Sequence, residues 1–130
     1  MNAALGLVQL DNLDENSNKR REILKVYQQS LSKTRHKQFG LGLIDFASNG
    51  GAFGVFLDSK PEETIKFAQK HDVPVKLAFA DCLIKEFEGD PFEAFPVAAS
   101  FFYRTVEFPI YPFLKMSEID SISKVVAHLP

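Results

Sequence analysis

The residues able to do chemistry are few and scattered. Cys82 follows Asp81 and could serve as a nucleophile if a histidine acted as its base, but no local motif joins them. Its neighbours Phe79 and Leu83 mark it instead as a partly buried thiol. His36, His71 and His128 are widely separated and have no Cys or carboxylate at metal-ligand spacing, so they read as surface histidines and not as a zinc site. His128 suits a last helical turn, where positive charge is favoured. Gly40-Leu41-Gly42 and Gly50-Gly51 are of the residue type that cradles phosphate, but they lack the strand-to-helix spacing of dinucleotide or P-loop motifs. Lys33, Arg35, His36 and Lys37 form a basic cluster large enough to touch an anion, although such a cluster beside a loop is ordinarily solvated. No catalytic, cofactor-binding or metal-ligating set emerges from residue type and spacing.

The elements that would position these residues follow from periodicity. Ala3, Leu7, Leu10 and Leu13 recur at steps of three and four, and Leu24, Tyr27 and Leu31 resume the stripe, which predicts one amphipathic helix over about residues 1–31. The polar stretch from Asp14 to Glu22 reads as its solvated face, with Glu15 and Lys19 at the favourable i, i+4 spacing. Phe39, Leu41 and Leu43 alternate with glycines and lead into Ile44 and Phe46, which predicts a strand over residues 39–46. Asn49-Gly50 is a preferred hairpin centre and places the run over residues 52–57 beside it. Ser59 with Glu62 forms a capping-box pattern, and with Pro61 in the first turn predicts a helix to about Lys70. A strand over residues 73–79 and a helix over residues 95–106, with Ala98, Phe102 and Val106 on one side, come next. Pro109 and Pro112 must break that helix, and Ser117 with Asp120 opens a closing helix striped by Ile119, Ile122, Val126 and Leu129. The pattern is an α/β fold, a small sheet flanked by helices.

Composition narrows the classes. The chain has 130 residues, the size of one domain, with 45% hydrophobic and 25% charged residues as in ordinary globular proteins. Its 13 Phe are the one excess and are expected in a core or an interface. A net charge of -2 gives no basic field to attract nucleic acid or an anionic membrane, and the apolar runs are too short to span a bilayer. The start has no basic segment leading into an apolar one, so it does not read as a secretory signal, and a lone cysteine suits a reducing cytoplasm.

Two blocks carry a resemblance. Met1-Asn2-Ala3-Ala4-Leu5-Gly6-Leu7-Val8-Gln9-Leu10, with Leu13-Asp14-Glu15, Lys19-Arg20-Arg21-Glu22-Ile23 and Tyr27, resembles the long helix joining the two domains of DegT/StrS-type sugar aminotransferases, enzymes dependent on pyridoxal phosphate (PLP). Phe95-Pro96-Val97-Ala98 through Phe108-Pro109-Ile110-Tyr111-Pro112 to Ser117-Glu118-Ile119-Asp120 is similar to that family's closing helix, Leu-Pro-x-Tyr-Pro turn and capped final helix. Between them, Phe53-Gly54-Val55-Phe56-Leu57 and Val73-Pro74-Val75-Lys76 resemble the strands that lead toward the substrate cleft.

The resemblance implies the C-terminal small domain of a fold-type I PLP-dependent aminotransferase over residues 1–130, acting on a nucleotide-linked keto-sugar in surface or secondary polysaccharide biosynthesis. It also implies that the cofactor lysine, the acid paired with the pyridine nitrogen and the phosphate-binding groups belong to a large domain preceding Met1, so that these residues alone bind no cofactor and are inactive. Where many relatives read Arg-x-His-Tyr-Pro, this chain reads Lys76-Leu77-Ala78-Phe79-Ala80, with Ala78 in place of the imidazole. Lys76, Phe79 and Asp81 are then the candidates for the substrate edge, and Lys76 alone for a phosphate contact. The expected partners are the missing large domain or a second copy of the chain; the alternative role is a noncatalytic scaffold module of the same fold. Self-association is expected through Ala3, Ala4, Leu5, Leu7, Val8 and Leu10, which leave the first helix little polar face.

Overall fold

A computed structural model of the chain describes residues 2–39 and 51–130. The expected strand beyond Phe39, the Gly40-Leu41-Gly42 segment and the Asn49-Gly50 turn lie outside the described residues.

The long N-terminal helix forms with one break: α1 spans Asn2–Asp11 and α2 Leu13–Leu31. At the break the Asn12 side chain donates to the carbonyl of Val8 at 2.8 Å, one of the local bonds by which Asn competes with the helix backbone. Strand β1 is Lys37–Gln38, β2 Phe53–Phe56, β3 Lys76–Leu77 and β4 Thr105–Phe108. They form one antiparallel sheet in the order β1-β2-β4-β3. Helix α3 covers Pro61–Gln69, a short 3-10 turn Leu83–Glu86, α4 Pro91–Ala94, α5 Pro96–Arg104 and α6 Met116–Ala127.

Several boundaries correct the sequence expectations. The helix predicted to Val106 stops at Arg104, and the chain turns into the inner strand β4. Thr105, Val106 and Phe108, two β-branched residues and an aromatic, pair with β2 along Phe56↔Thr105, Val55↔Val106 and Phe53↔Phe108, so sheet pairing overrides the helical stripe. The predicted strand over residues 73–79 pairs only at Lys76↔Glu107 and Leu77↔Val106. Helix α3 is N-capped at Lys60 without a side-chain bond, so Ser59 and Glu62 do not form the expected box. Helix α6 starts two residues earlier than expected, capped at Lys115 and not at Ser117, with the Glu118 carboxylate accepting from the Lys115 N–H at 2.7 Å. That is half of a capping box, since a lysine ammonium has no lone pair to return the bond.

Burial follows the strand period. Phe53 and Val55 of β2 and their partners Phe108 and Val106 of β4 face one way and are fully buried. Helices α2 and α6 pack together over that face, with Ile23, Leu24, Tyr27, Leu31, Ile119, Ile122, Val125 and Val126 in one core with it. The Tyr27 ring lies 5.3 Å from that of Phe53 and its hydroxyl donates to the Pro109 carbonyl at 3.2 Å, tying the proline-rich turn to the core. Burial pushes the Tyr27 phenol well above its ordinary range. Beyond α3 the N–H groups of Asp72 and Val73 bond back to the carbonyls of Gln69 and Ala68, a helix ending that needs a left-handed residue. Asp72 supplies it at φ 56 and redirects the chain into β3.

Candidate functional site

The second face of the sheet carries the strand positions that alternate with the core, and its character is aromatic. Phe101 of α5 lies 5.2 Å from Phe39 and 5.3 Å from Phe56 between ring centres, and Phe39 lies 5.3 Å from Phe79. All three contacts are edge-on, the arrangement favoured by ring quadrupoles. Gly54 makes room for this: a Cβ there would stand 3.1 Å from the Cβ of Phe39, whose N–H donates to the Gly54 carbonyl at 2.9 Å. The Arg104 guanidinium lies 4.9 Å from the Phe56 ring centre and pairs with Asp58 at 3.2 Å. Phe39 and Phe101 remain about a third open to solvent, at 36% and 38% exposed.

The end of the sheet where β2 stops and β4 starts gathers these groups by register. Phe56 pairs with Thr105, the Leu57 N–H bonds the Arg104 carbonyl, and the Ala78 N–H bonds the Thr105 carbonyl. Phe79 is thereby brought to this end. Lys76 sits two pairs further along β4 on the exposed edge strand, its ammonium 3.5 Å from the Glu107 carboxylate and its side chain 74% exposed. Asp81 is exposed in the turn that follows Phe79.

His36 corrects its surface assignment: it is only 6% exposed. Its Nδ1 accepts from the Asp58 N–H at 3.0 Å, and Nε2 lies 3.0 Å from the Pro130 carbonyl. An amide N–H can only donate, so Nδ1 holds the lone pair and Nε2 carries the proton it gives to Pro130. The ring is the neutral tautomer. Burial lowers its pKa, while the bond to Pro130 pulls the other way. The basic cluster is accordingly dispersed, with His36 turned inward and Lys33, Arg35 and Lys37 exposed. Cys82 is exposed and not partly buried, because the segment after Ala80 runs over the surface as turns. His71 and His128 are exposed as expected, the latter bonded to the Lys124 carbonyl at 2.8 Å in the last turn of α6. The Glu15–Lys19 pair forms at 2.6 Å and holds the Glu15 carboxyl below its usual range.

Among the described residues no three His, Cys, Asp or Glu side chains are grouped to hold a metal ion, and no helix is long and apolar enough to cross a membrane. Every described lysine is exposed except Lys19, which is half-exposed and ion-paired. PLP chemistry requires a positioned, desolvated lysine, and these side chains do not fit that role. Among the described residues the aromatic end offers ring faces and a paired cation, Arg104, to a planar or apolar partner, and no acid–base couple. Of its residues the sequence singled out only Phe79, by resemblance. For the rest the phenylalanine excess was the signal, since Phe39, Phe56, Phe79 and Phe101 come from four segments.

Comparison with known proteins follows the fold. By sequence, curated proteins gave no significant match. Among solved structures, the aminotransferase TlmJ from Streptoalloteichus hindustanus superposes with a TM-score of 0.81 at 23% identity, over 96% of this chain and 34% of that one. Spr1654 from Streptococcus pneumoniae, designated a sugar aminotransferase and solved also in a PLP form, gives 0.79 at 20% identity over 96% and 33%. PseC from Helicobacter pylori, an aminotransferase involved in pseudoaminic acid biosynthesis, gives 0.75 at 16% identity over 95% and 35%. At these identities the likeness establishes the fold, and the chain spans about a third of the length of each relative. The model of the DegT/DnrJ/EryC1/StrS aminotransferase family matches residues 1–127. The chain belongs to the DegT/DnrJ/EryC1/StrS aminotransferase family.

Proposed function

We propose that residues 1–130 are one domain serving as the C-terminal small domain of a PLP-dependent nucleotide-sugar aminotransferase, with the PLP-binding large domain supplied by polypeptide outside these residues. The observation that carries this reading is the extent of the fold match, 96% of this chain against 34% of TlmJ. In this role the domain walls one side of a sugar-nucleotide cleft. Lys76 stands on the exposed edge strand as the one phosphate contact, Phe79 anchors the following turn in the aromatic cluster, and Asp81 lies exposed beyond it. When bound by the large domain, PLP supplies the electron sink for amino transfer. This chain's contribution is to position and enclose. With Ala78 where many relatives carry a histidine, no imidazole from this strand holds a proton near the substrate. The setting is the reducing cytoplasm, in surface or secondary polysaccharide biosynthesis.

A second reading, a noncatalytic module of the same fold that pairs with a separate large domain or with itself, is favoured by one observation: the apolar surface of α1 is uncovered. One assay tests what both readings share. Purified chain is incubated with PLP, an amino donor and nucleotide keto-sugars. The expected result is no turnover above a PLP-only control, and turnover would overturn the claim that the chemistry lies elsewhere.

A further inference from the structure

At the edge of the sheet opposite Lys76, a cleft of about 680 Å³ opens between the last turn of α2, strand β1 and helix α5. That volume lies within the range of small-molecule sites. Leu31 and the rings of Phe56 and Phe101 give it apolar walls. The two rings meet edge-on with centres 5.3 Å apart, and Phe101 stays 38% exposed.

Most polar groups that line the cleft are already satisfied. Ser32 gives its hydroxyl proton to the Gln29 carbonyl at 2.8 Å. Thr34 gives its own to the Leu31 carbonyl and accepts from the His36 N–H. Both ring nitrogens of His36 are taken, by Asp58 and Pro130. Lys37 is the one charge among the described lining residues, and it is exposed, with its ammonium free to stay in water.

What remains is a pair of amides. The Gln28 side chain of α2 donates to that of Gln38 of β1 at 2.9 Å, and Gln38 is only 7% exposed. With that bond made, the pair still holds a carbonyl oxygen on Gln28 and an NH2 on Gln38 with no further partner among the described residues. Exchanging O and N in both amides leaves the same complement, one carbonyl and one NH2. Polar groups of so buried a residue are costly to leave unmade.

We propose that this cleft binds a small planar carboxamide, its ring against Phe56 and Phe101 and its amide edge paired with the two glutamines. A primary amide carries one carbonyl and one NH2, the complement of what the pair leaves open. An aromatic ring gains buried area and edge-on contact from the two phenylalanines. No carboxylate lines the cleft among the described residues, so nothing there calls for a cation. The proposal is independent of the aminotransferase reading and separate from its substrate edge, since β1 and β3 are opposite edges of the sheet.

Benzamide is a minimal member of this class, and methyl benzoate keeps its ring and carbonyl without the N–H. Each is titrated into the isotope-labelled 130-residue chain, and the side-chain NH2 signals of Gln28 and Gln38 and the Phe101 amide are followed by NMR. Benzamide is expected to shift all three saturably, with a Kd on the order of millimolar for so small a ligand. Methyl benzoate leaves a glutamine carbonyl unpaired and is expected to bind roughly tenfold more weakly. Gln38→Met keeps the side-chain length without the amide and is expected to weaken benzamide binding about tenfold in a spectrum that stays dispersed. Gln28→Met, at a less buried position, is expected to do the same. The absence of saturable shifts, saturation confined to other residues, or equal affinity for methyl benzoate overturns the proposal. So does a folded methionine variant that binds benzamide as the wild type does.

Discussion

The two ends of the chain use apolar residues in opposite ways. In α6, Ile119, Ile122, Val125 and Val126 recur along one side, Ser117, Asp120, Ser121 and Lys124 take the other, and the apolar set is buried against α2 and the sheet. In α1, Ala3, Ala4, Leu5, Leu7, Val8 and Leu10 surround the helix and every one is exposed. Apolar content alone does not place a helix in a core. A single stripe can be satisfied by one neighbouring layer, and an apolar surface all round needs more cover than this small sheet and its helices supply.

The largest expected effect separates these regions. Phe108 is fully buried, pairs with Phe53 across β2 and β4, and its ring lies 6.2 Å from that of Phe53. Phe108→Ala is expected to cost about 3–5 kcal/mol through lost burial and the cavity left behind. Urea denaturation of the isolated chain reads this, and a loss under about 1 kcal/mol would break the description of β4 as the centre of the core.

A smaller effect is tied to pH. The folded state holds His36 neutral with a lowered pKa, so the unfolded chain binds the proton more readily. The stabilisation is complete above the unfolded value of 6.5 and is lost as pH falls below it toward the folded value. His36→Gln is expected to cost about 1–3 kcal/mol at pH 8 through the lost bonds to Asp58 and Pro130. It should also flatten the fall of stability below pH 6.5. An unchanged slope in pH-dependent unfolding would contradict the neutral clamp.

The smallest effect belongs to α1. Leu5→Ser removes an exposed side chain with no core contact, and is expected to shift the unfolding free energy of the monomer by no more than about 0.5 kcal/mol. Measured at low protein concentration, a loss above about 2 kcal/mol would show that α1 belongs to the monomer's core and would erase the comparison.

Much of this architecture was legible in the residues. The 3.6-residue stripe of Leu24, Tyr27 and Leu31 and that of Ile119, Ile122 and Val126 locate the two core helices, whereas Pro109 and Pro112, expected to break a helix, follow strand β4 instead. Strand β4 was not legible, because Phe102 and Val106 stand four apart and satisfy a helical spacing as well as a strand's alternation, and only pairing with β2 decides between them. His36 was misplaced for a related reason. Its neighbours Arg35 and Lys37 are charged and exposed, and nothing local reveals that a backbone N–H 22 residues away and a carbonyl 94 residues away satisfy its ring. Lys76, Phe79 and Asp81 came from resemblance alone, and the aromatic end escaped notice because contacts between distant segments leave no short motif.

The chain belongs to a family of aminotransferases, yet its lysines are exposed or ion-paired and do not fit the role of a cofactor lysine. Titrating purified chain with PLP, trapping any lysine adduct with borohydride and locating it by peptide mass mapping tests this directly. The expected result is weak, unsaturable labelling spread over exposed lysines such as Lys25, Lys60, Lys76 and Lys124. A saturable one-to-one adduct at a single lysine would contradict it.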